Sequence, residues 1–204
     1  MRDYAKEFAD RVSYIRELVE KSGVSGIVYG NSGGKDCSLV GILCKFACEN
    51  TVGIMMPCAS KRNFEQDMKD AKEVSEHFGI QSRVIDLTDV RQCEMDRLSA
   101  ITTLTPAAVN NIAPRLRMTT LYAVAASENR LVAGTGNRSE AYMGYFSAGL
   151  FDGQTDEDEM GVTYNAIDTY ILTGEASERD KKVIDRFHRV SEHKRSGISV
   201  FKKV

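Results

Sequence analysis

Residues 25–48 constrain the fold more than any other stretch. Ser25-Gly-Ile-Val-Tyr-Gly30 is a short apolar run and Asn31-Ser-Gly-Gly34 a polar, glycine-rich loop. Cys37 to Cys48 is a strongly apolar segment carrying Leu39, Val40, Ile42, Leu43, Phe46 and Ala47. The first run reads as a buried strand and the last as a helix. A strand, a tight loop and a helix in succession open a βαβ unit, and the pattern repeats. Thr51-Val-Gly-Ile-Met-Met-Pro57 reads as a second strand, stopped by its proline. Residues 63–78 read as a helix with Phe64, Met68, Ala71, Val74 and Phe78 along one stripe. Arg83–Leu87 is a third strand and Arg130–Gly134 a fourth, with helices at 88–98 and 112–128 between them. An amphipathic helix at 3–21 (Tyr4, Phe8, Val12, Ile15, Val19) precedes them all. Alternation of this kind predicts an α/β fold with a parallel sheet and right-handed crossovers. Ligands of such sheets bind at the carboxyl ends of the strands. Three segments fall there: residues 31–36, Pro57–Lys61 and Gly134–Glu140.

The rest of the chain is more polar. Helices are expected at about 156–172 and 177–189, followed by a basic tail, with no internal repeat or evident linker. At 204 residues a single domain over 1–204 is the expectation. The net charge of −2 argues against a nucleic-acid partner or a membrane surface. No apolar run reaches the length of a membrane span and no apolar signal region opens the chain. Five cysteines without a CxxC pair fit reduced thiols and a cytoplasmic location. Cys44 and Cys48 share a helix face, but two thiols alone make a poor zinc site. Cys44, Cys48, Cys58 and Cys93 read as packing residues, and His77 and His188 receive no role.

The loop narrows the chemistry. Gly30 and Gly34 stand one residue too close for a Walker loop, and Asp36 follows Lys35 where that loop has a hydroxyl. Backbone amides at the start of the following helix still suit an anion. Asp36 has two readings, a helix N-cap or a ligand of magnesium. Two like charges about 4 Å apart repel by roughly 4 kcal/mol at an effective dielectric of about 20. A carboxylate beside phosphates is therefore tolerated mainly with Mg²⁺ between them. The loop motif alone leaves both open.

Ser32-Gly33-Gly34-Lys35-Asp36, with Cys37 and Ser38 after it, resembles the S-G-G-x-D-S pyrophosphate loop of the N-type ATP pyrophosphatases, with a cysteine in place of the usual serine. Asn111-Ile-Ala-Pro-Arg115-Leu-Arg117-Met118 resembles the N-x-x-A-R-x-R-[MI] segment of the NAD synthetases, with Pro114 where alanine is usual. Gly134-Thr-Gly-Asn-Arg-Ser-Glu140 resembles their G-T-x-N-[KR]-[ST]-E. Ser147-Ala-Gly-Leu, Gln154-Thr-Asp-Glu157, Gly161-x-x-Tyr164 and Ser191-Glu-His-Lys-Arg195 are similar to the late motifs of the same family. The chain is thereby identified as a member of the ammonia-dependent NAD synthetases, from about residue 3 onward. Their fold is a Rossmann-like parallel sheet flanked by helices, of the adenine nucleotide alpha-hydrolase type.

The resemblance implies ATP-dependent amidation of deamido-NAD with ammonia, giving NAD, AMP and pyrophosphate through an NAD-adenylate. It assigns ATP to Ser32, Gly33, Gly34, Lys35, Asp36, Cys37, Ser38, Met56, Ser60 and Thr135. It assigns deamido-NAD to Asn111, Arg115, Ser147, Asp156, Glu157, His193 and Lys194, and Mg²⁺ to Asp36 and Glu140. No covalent nucleophile is implied. The chain opens on the synthetase's first helix, so free ammonia or a separate donor is the expected nitrogen source. A homodimer is implied, and the helix carrying Leu116, Met118, Leu121 and Tyr122 would suit its interface, although a buried core helix would look the same.

Plainer readings stand beside these. Arg115 and Arg117 diverge by about 200° on a helix, so Arg115 is expected to face the cleft and Arg117 to pair internally. Gly134-Thr-Gly136 could be no more than a turn, Glu140 a surface helix residue, and Asp156–Glu159 an acidic first turn. One departure is large. Gly144-Tyr-Phe146 runs directly into Ser147-Ala-Gly-Leu150, skipping about 40 residues of the family pattern. Either a segment of the protein is missing between Phe146 and Ser147, or the chain is shortened in fact, losing a lysine expected near the phosphates. Two other functions compete: a tRNA-thiolation type pyrophosphatase with Cys37 as sulfur carrier, and a non-catalytic adenine-nucleotide-binding protein.

Overall fold

The computed structural model describes residues 3–59, 63–143 and 161–190. Among these the chain packs as two compact units, the first running to Thr135 and the second starting at Gly136.

In the first unit, helix α1 (Tyr4–Ser22) starts where Asp3 accepts a hydrogen bond from the Lys6 backbone N–H at 3.0 Å, and stops at Gly23. Strand β1 (Gly26–Gly30) leads through the loop into α2 (Lys35–Ala47). Strand β2 (Thr51–Met55) follows, then a π-helical turn (Asn63–Asp67) running into α3 (Met68–His77). Strand β3 (Gln81–Val84), α4 (Thr88–Ser99), α5 (Pro106–Glu128) and β4 (Arg130–Ala133) complete the unit. All neighbouring strands pair in parallel, in the order β3-β2-β1-β4. Successive strands leave β1 first to one side and then to the other, so the order reverses between β1 and β4.

Every residue of β1 and β2 is buried, as a strand covered on both faces requires. On one face Val28, Val52, Ile54 and Met56 pack with Ala113, Leu121 and Ala125 of α5. On the other, the Tyr29 ring lies against Gly41 of α2 and Gly53 of β2, where a side chain would overlap it. That contact explains a glycine in the middle of an apolar helix. Burial pushes the Tyr29 hydroxyl up to about 12, and the thiol of Cys37 adds to the rise.

Some boundaries differ from expectation. The third strand lies at Gln81–Val84 rather than Arg83–Leu87, although Ile85 and Leu87 still donate to Met55 and Pro57 carbonyls at 3.0 and 2.9 Å. Helix α5 begins six residues before the expected 112. Thr105 caps it by accepting from the Ala108 N–H, and Pro106 occupies the first turn, where no N–H is needed. The expected helix at 63–78 is divided into the π-turn and α3.

The second unit contains α6 (Arg138–Met143), α7 (Tyr164–Thr173) and α8 (Glu178–Val190). Val162, Ile167 and Ile184 form its core, with Tyr142, Tyr164, Tyr170 and Phe187 packed around them. The short helix α6 carries no apolar repeat long enough to predict. The expected helix at 156–172 is described only from Tyr164, and the acidic cluster Asp156–Glu159 lies outside the described residues.

Candidate active site

The carboxyl edge of the sheet carries the loop after β1, residues Met56–Ala59 after β2, and Gly134–Thr135 after β4. The loop and Thr135 flank the reversal between β1 and β4, the position at which open α/β sheets bind ligands.

The loop is fixed from beneath. Asn31, 2% exposed, donates through Nδ2 to the Ala71 carbonyl (3.2 Å) and to Ser75 Oγ (3.1 Å), tying the loop to α3. Its Oδ1 accepts from the Gly33 N–H at 3.2 Å. Gly33 adopts φ +79°, and a methyl group there would overlap the Asp67 carbonyl. Only glycine enters this conformation cheaply. Gly34 is the N-cap of α2 and offers no side-chain cap, so the first-turn N–H groups face the loop. Asp36 sits in that first turn and is not the N-cap, which removes the plain capping reading. Lys35 is exposed and Asp36 half-buried.

Cys37 is buried at 4% exposure, with Sγ 3.1 Å from Ser32 Oγ. Burial pushes this thiol up, and hydrogen bonds to Ser32 and Thr135 only partly offset the effect. The three side chains join the loop after β1, the start of α2 and the end of β4. A buried, protonated thiol is poorly suited to carry sulfur, which counts against the tRNA-thiolation alternative. Cys37 supports the loop from within, and only its backbone N–H can meet a phosphate.

Arg117 is buried, and its Nε donates to the Met56 carbonyl at 3.0 Å, fixing the residue after β2. Arg115 and Asn111 are exposed on the same helix, as the 200° divergence requires, and Asn111 donates to the Ala107 carbonyl. Leu121 belongs to the core and Leu116 packs against it, so of the proposed interface residues only Tyr122 is well exposed. Cys93 is exposed, which corrects its reading as a packing residue. The roles of Asn31 and of the Cys37–Thr135 contact were not legible in the sequence, because these partners come from α3 and from the end of β4.

In the second unit, Glu140 is 3% exposed and is not the surface residue that the plain reading made it. It forms a reciprocal capping box with Asn137: Asn137 N–H donates to Oε2 (2.9 Å), and the Glu140 N–H donates to Asn137 Oδ1 (2.9 Å). Asn137 Nδ2 and the Tyr164 hydroxyl donate to Oε1 at 3.0 and 3.2 Å. Next to it, Ser139 Oγ donates to Asp168 at 2.7 Å. His188 stacks on Tyr142 at 4.2 Å and meets its carbonyl at 2.8 Å, a packing role that the sequence did not reveal. Ser60, Ser147, Asp156, Glu157, His193 and Lys194 lie outside the described residues.

A parallel sheet whose glycine loop feeds a helix at the strand-order reversal defines an α/β nucleotide-binding protein of the adenine nucleotide alpha-hydrolase fold. The chain belongs to the NAD synthase family, whose model matches residues 7–147 and 146–202. It is 38% identical to the NH₃-dependent NAD⁺ synthetase of Carboxydothermus hydrogenoformans, over 90% of this chain and 92% of that one. It is 32% identical to the enzyme of the same name from Alkaliphilus metalliredigens, over 90% and 93%. Among solved structures it superimposes on the NMN synthetase from Francisella tularensis with a TM-score of 0.86, at 29% identity and 98% coverage of both chains. The NAD synthetase of Campylobacter jejuni, at 22% identity and a TM-score of 0.78, shares the fold. The protein is therefore an enzyme, a ligase forming a C–N bond with ATP as co-substrate.

The two matched parts of the family model meet at 146–147. In the sequence Phe146 is followed directly by Ser147.

Proposed function

We propose that the chain amidates deamido-NAD with ammonia at the expense of ATP, within one functional domain spanning 1–204. The nicotinate carboxylate attacks the α-phosphorus of ATP and the bond to the bridging β-oxygen breaks, releasing pyrophosphate. Ammonia then attacks the activated carbonyl carbon, AMP leaves, and the nitrogen loses a proton to give the amide. Adenylation is needed because a carboxylate oxygen is a poor leaving group. The protein's part is positioning and charge stabilisation. The loop from Ser32 to Ser38, with its helix N-terminus at the strand-order reversal, is the observation that carries this reading. Its N–H groups are assigned to the departing phosphates, Lys35 to their charge, and Thr135 and Met56 to the nucleotide. Asn111 and Arg115 are assigned to deamido-NAD, as are Ser147, Asp156, Glu157, His193 and Lys194. Ser60 is assigned to ATP.

Asp36 and Glu140 are assigned to Mg²⁺. Hard carboxylate oxygens suit that ion, and Glu140 is held in one orientation by its donors. Among the described residues no group of three or more ligating side chains gathers, so phosphate oxygens would have to complete the shell. When bound, Mg²⁺ would neutralise charge on the triphosphate. Among the described residues no helix is long and apolar enough to cross a membrane. We assign the enzyme to the cytoplasm, as a homodimer.

The test supplies ATP, Mg²⁺, ammonium and deamido-NAD and measures NAD, AMP and pyrophosphate, expected in equal amounts. ATP binding without turnover would overturn this reading. Asp36→Ala is expected to lower kcat/KM at least 100-fold, and full activity in that variant would sink the mechanism. The close superposition on an NMN synthetase favours a second acceptor, nicotinate mononucleotide. The ratio of kcat/KM for the two acceptors decides between them.

A further inference from the structure

Helix α6 has six residues, too few to hold its shape unaided in water. Two hydrogen bonds between described residues tie it to α7, one given by each helix. Tyr164 and Asp168 are four residues apart and so lie on one face of α7. They meet consecutive residues of α6: the Tyr164 hydroxyl donates to Glu140 Oε1 at 3.2 Å, and Ser139 Oγ donates to Asp168 Oδ1 at 2.7 Å. Between them Ile167 is completely buried and anchors α7 in the core of the unit. The Tyr164 bond ends on the carboxylate itself, on the oxygen that also accepts from Asn137 Nδ2 at 3.0 Å, while the other oxygen is held by the Asn137 N–H. The hydroxyl therefore adds to the hold of Asn137 and ties the orientation of the carboxylate to α7.

We propose that Tyr164 is a positioning residue for the Glu140 carboxylate, orienting it for a divalent cation. This rests on the assignment of Glu140 to Mg²⁺ made above. A donor to a ligating carboxylate holds it in its binding rotamer before the cation arrives, and loss of such a partner costs metal affinity about 10–100-fold.

The test titrates Mn²⁺ into the full chain in the presence of a non-hydrolysable ATP analogue, reading free Mn²⁺ by electron paramagnetic resonance. Thermal melting is followed by circular dichroism. Tyr164→Phe, which removes only the hydroxyl, is expected to weaken Mn²⁺ binding about tenfold with little change in melting. Tyr170→Phe is the control on the same helix, its hydroxyl bonded to Asp185 at 2.8 Å, and is expected to leave Mn²⁺ affinity unchanged. Glu140→Gln is expected to lose affinity at least as strongly as Tyr164→Phe. In the Glu140→Gln background, Tyr164→Phe should add nothing. If Glu140→Gln loses Mn²⁺ while Tyr164→Phe binds it normally, the positioning role is overturned and the assignment of Glu140 stands. If Glu140→Gln binds Mn²⁺ normally, both fall. A Tyr164→Phe chain that does not fold would also overturn the proposal, because the hydroxyl would then be holding the unit together.

Discussion

Gly33 carries two constraints at once, a positive φ and a neighbouring carbonyl where a Cβ would stand. Either alone is tolerable, but together they leave no cheap relaxation, since the obstructing atom is backbone. Gly33→Ala is expected to cost about 1–3 kcal/mol of stability and to weaken ATP binding at least tenfold, read by calorimetric titration. The cysteines divide by the same logic of local surroundings. Cys37 and Cys44 are buried, and burial raises both thiols, Cys44 to about 12. Cys93 is exposed. Brief treatment of the native chain with iodoacetamide is expected to alkylate Cys93, with Cys37 and Cys44 reacting only after unfolding, as peptide mass spectrometry would record.

At the scale of elements, the packing of α2 on the sheet turns on one aromatic ring. Tyr29 projects from β1 into space left by Gly41 and Gly53, so helix and strand approach more closely than side chains would permit. On an exposed helix face a glycine-to-alanine change stabilises, by up to about 1 kcal/mol. Here the sign reverses: Gly41→Ala is expected to destabilise by about 1–3 kcal/mol through overpacking, measured by denaturant unfolding. Helix α5 illustrates the opposite case. Its buried Pro114 removes an N–H from the helix interior, yet the helix runs unbroken from Pro106 to Glu128. Packing of Ala113, Leu121 and Ala125 on the sheet offsets that cost.

Among the described residues, one cluster on the sheet unit holds a carboxyl well below its ordinary range. Glu128, at the end of α5, receives hydrogen bonds from Arg83 of β3 and from Arg130 of β4, the latter at 2.7 Å. Arg130 also donates to the Asn50 carbonyl at 3.0 Å. These bonds, Arg83's first, hold the Glu128 carboxyl at about 2, against an ordinary 4.5. A depressed carboxyl stabilises the fold fully above its unfolded pKa and ceases to do so as pH falls through the folded one. The melting temperature of the unaltered chain should therefore fall from about pH 4.5 toward pH 2. Glu128→Gln should melt lower at pH 6, with the gap closing toward pH 2.

The alternation of apolar runs determined the sheet, its parallel sense and the edge at which the loop lies, because strand and helix periods are local properties of a chain. The same runs placed Arg115 and Arg117 on opposite sides of α5, since helical geometry fixes that angle. Strand and helix ends were less legible, because caps and register depend on neighbours. Tertiary structure alone decided that Asn31 is tied to α3, that Arg117 reaches the Met56 carbonyl and that Cys37 meets Ser32 and Thr135. It also decided that Glu140 is buried against Asn137 and Tyr164. Except for the Ser32 and Asn137 contacts, these partners lie 24 or more residues apart in the chain, and no local period records which polar groups will meet once apolar surfaces have packed.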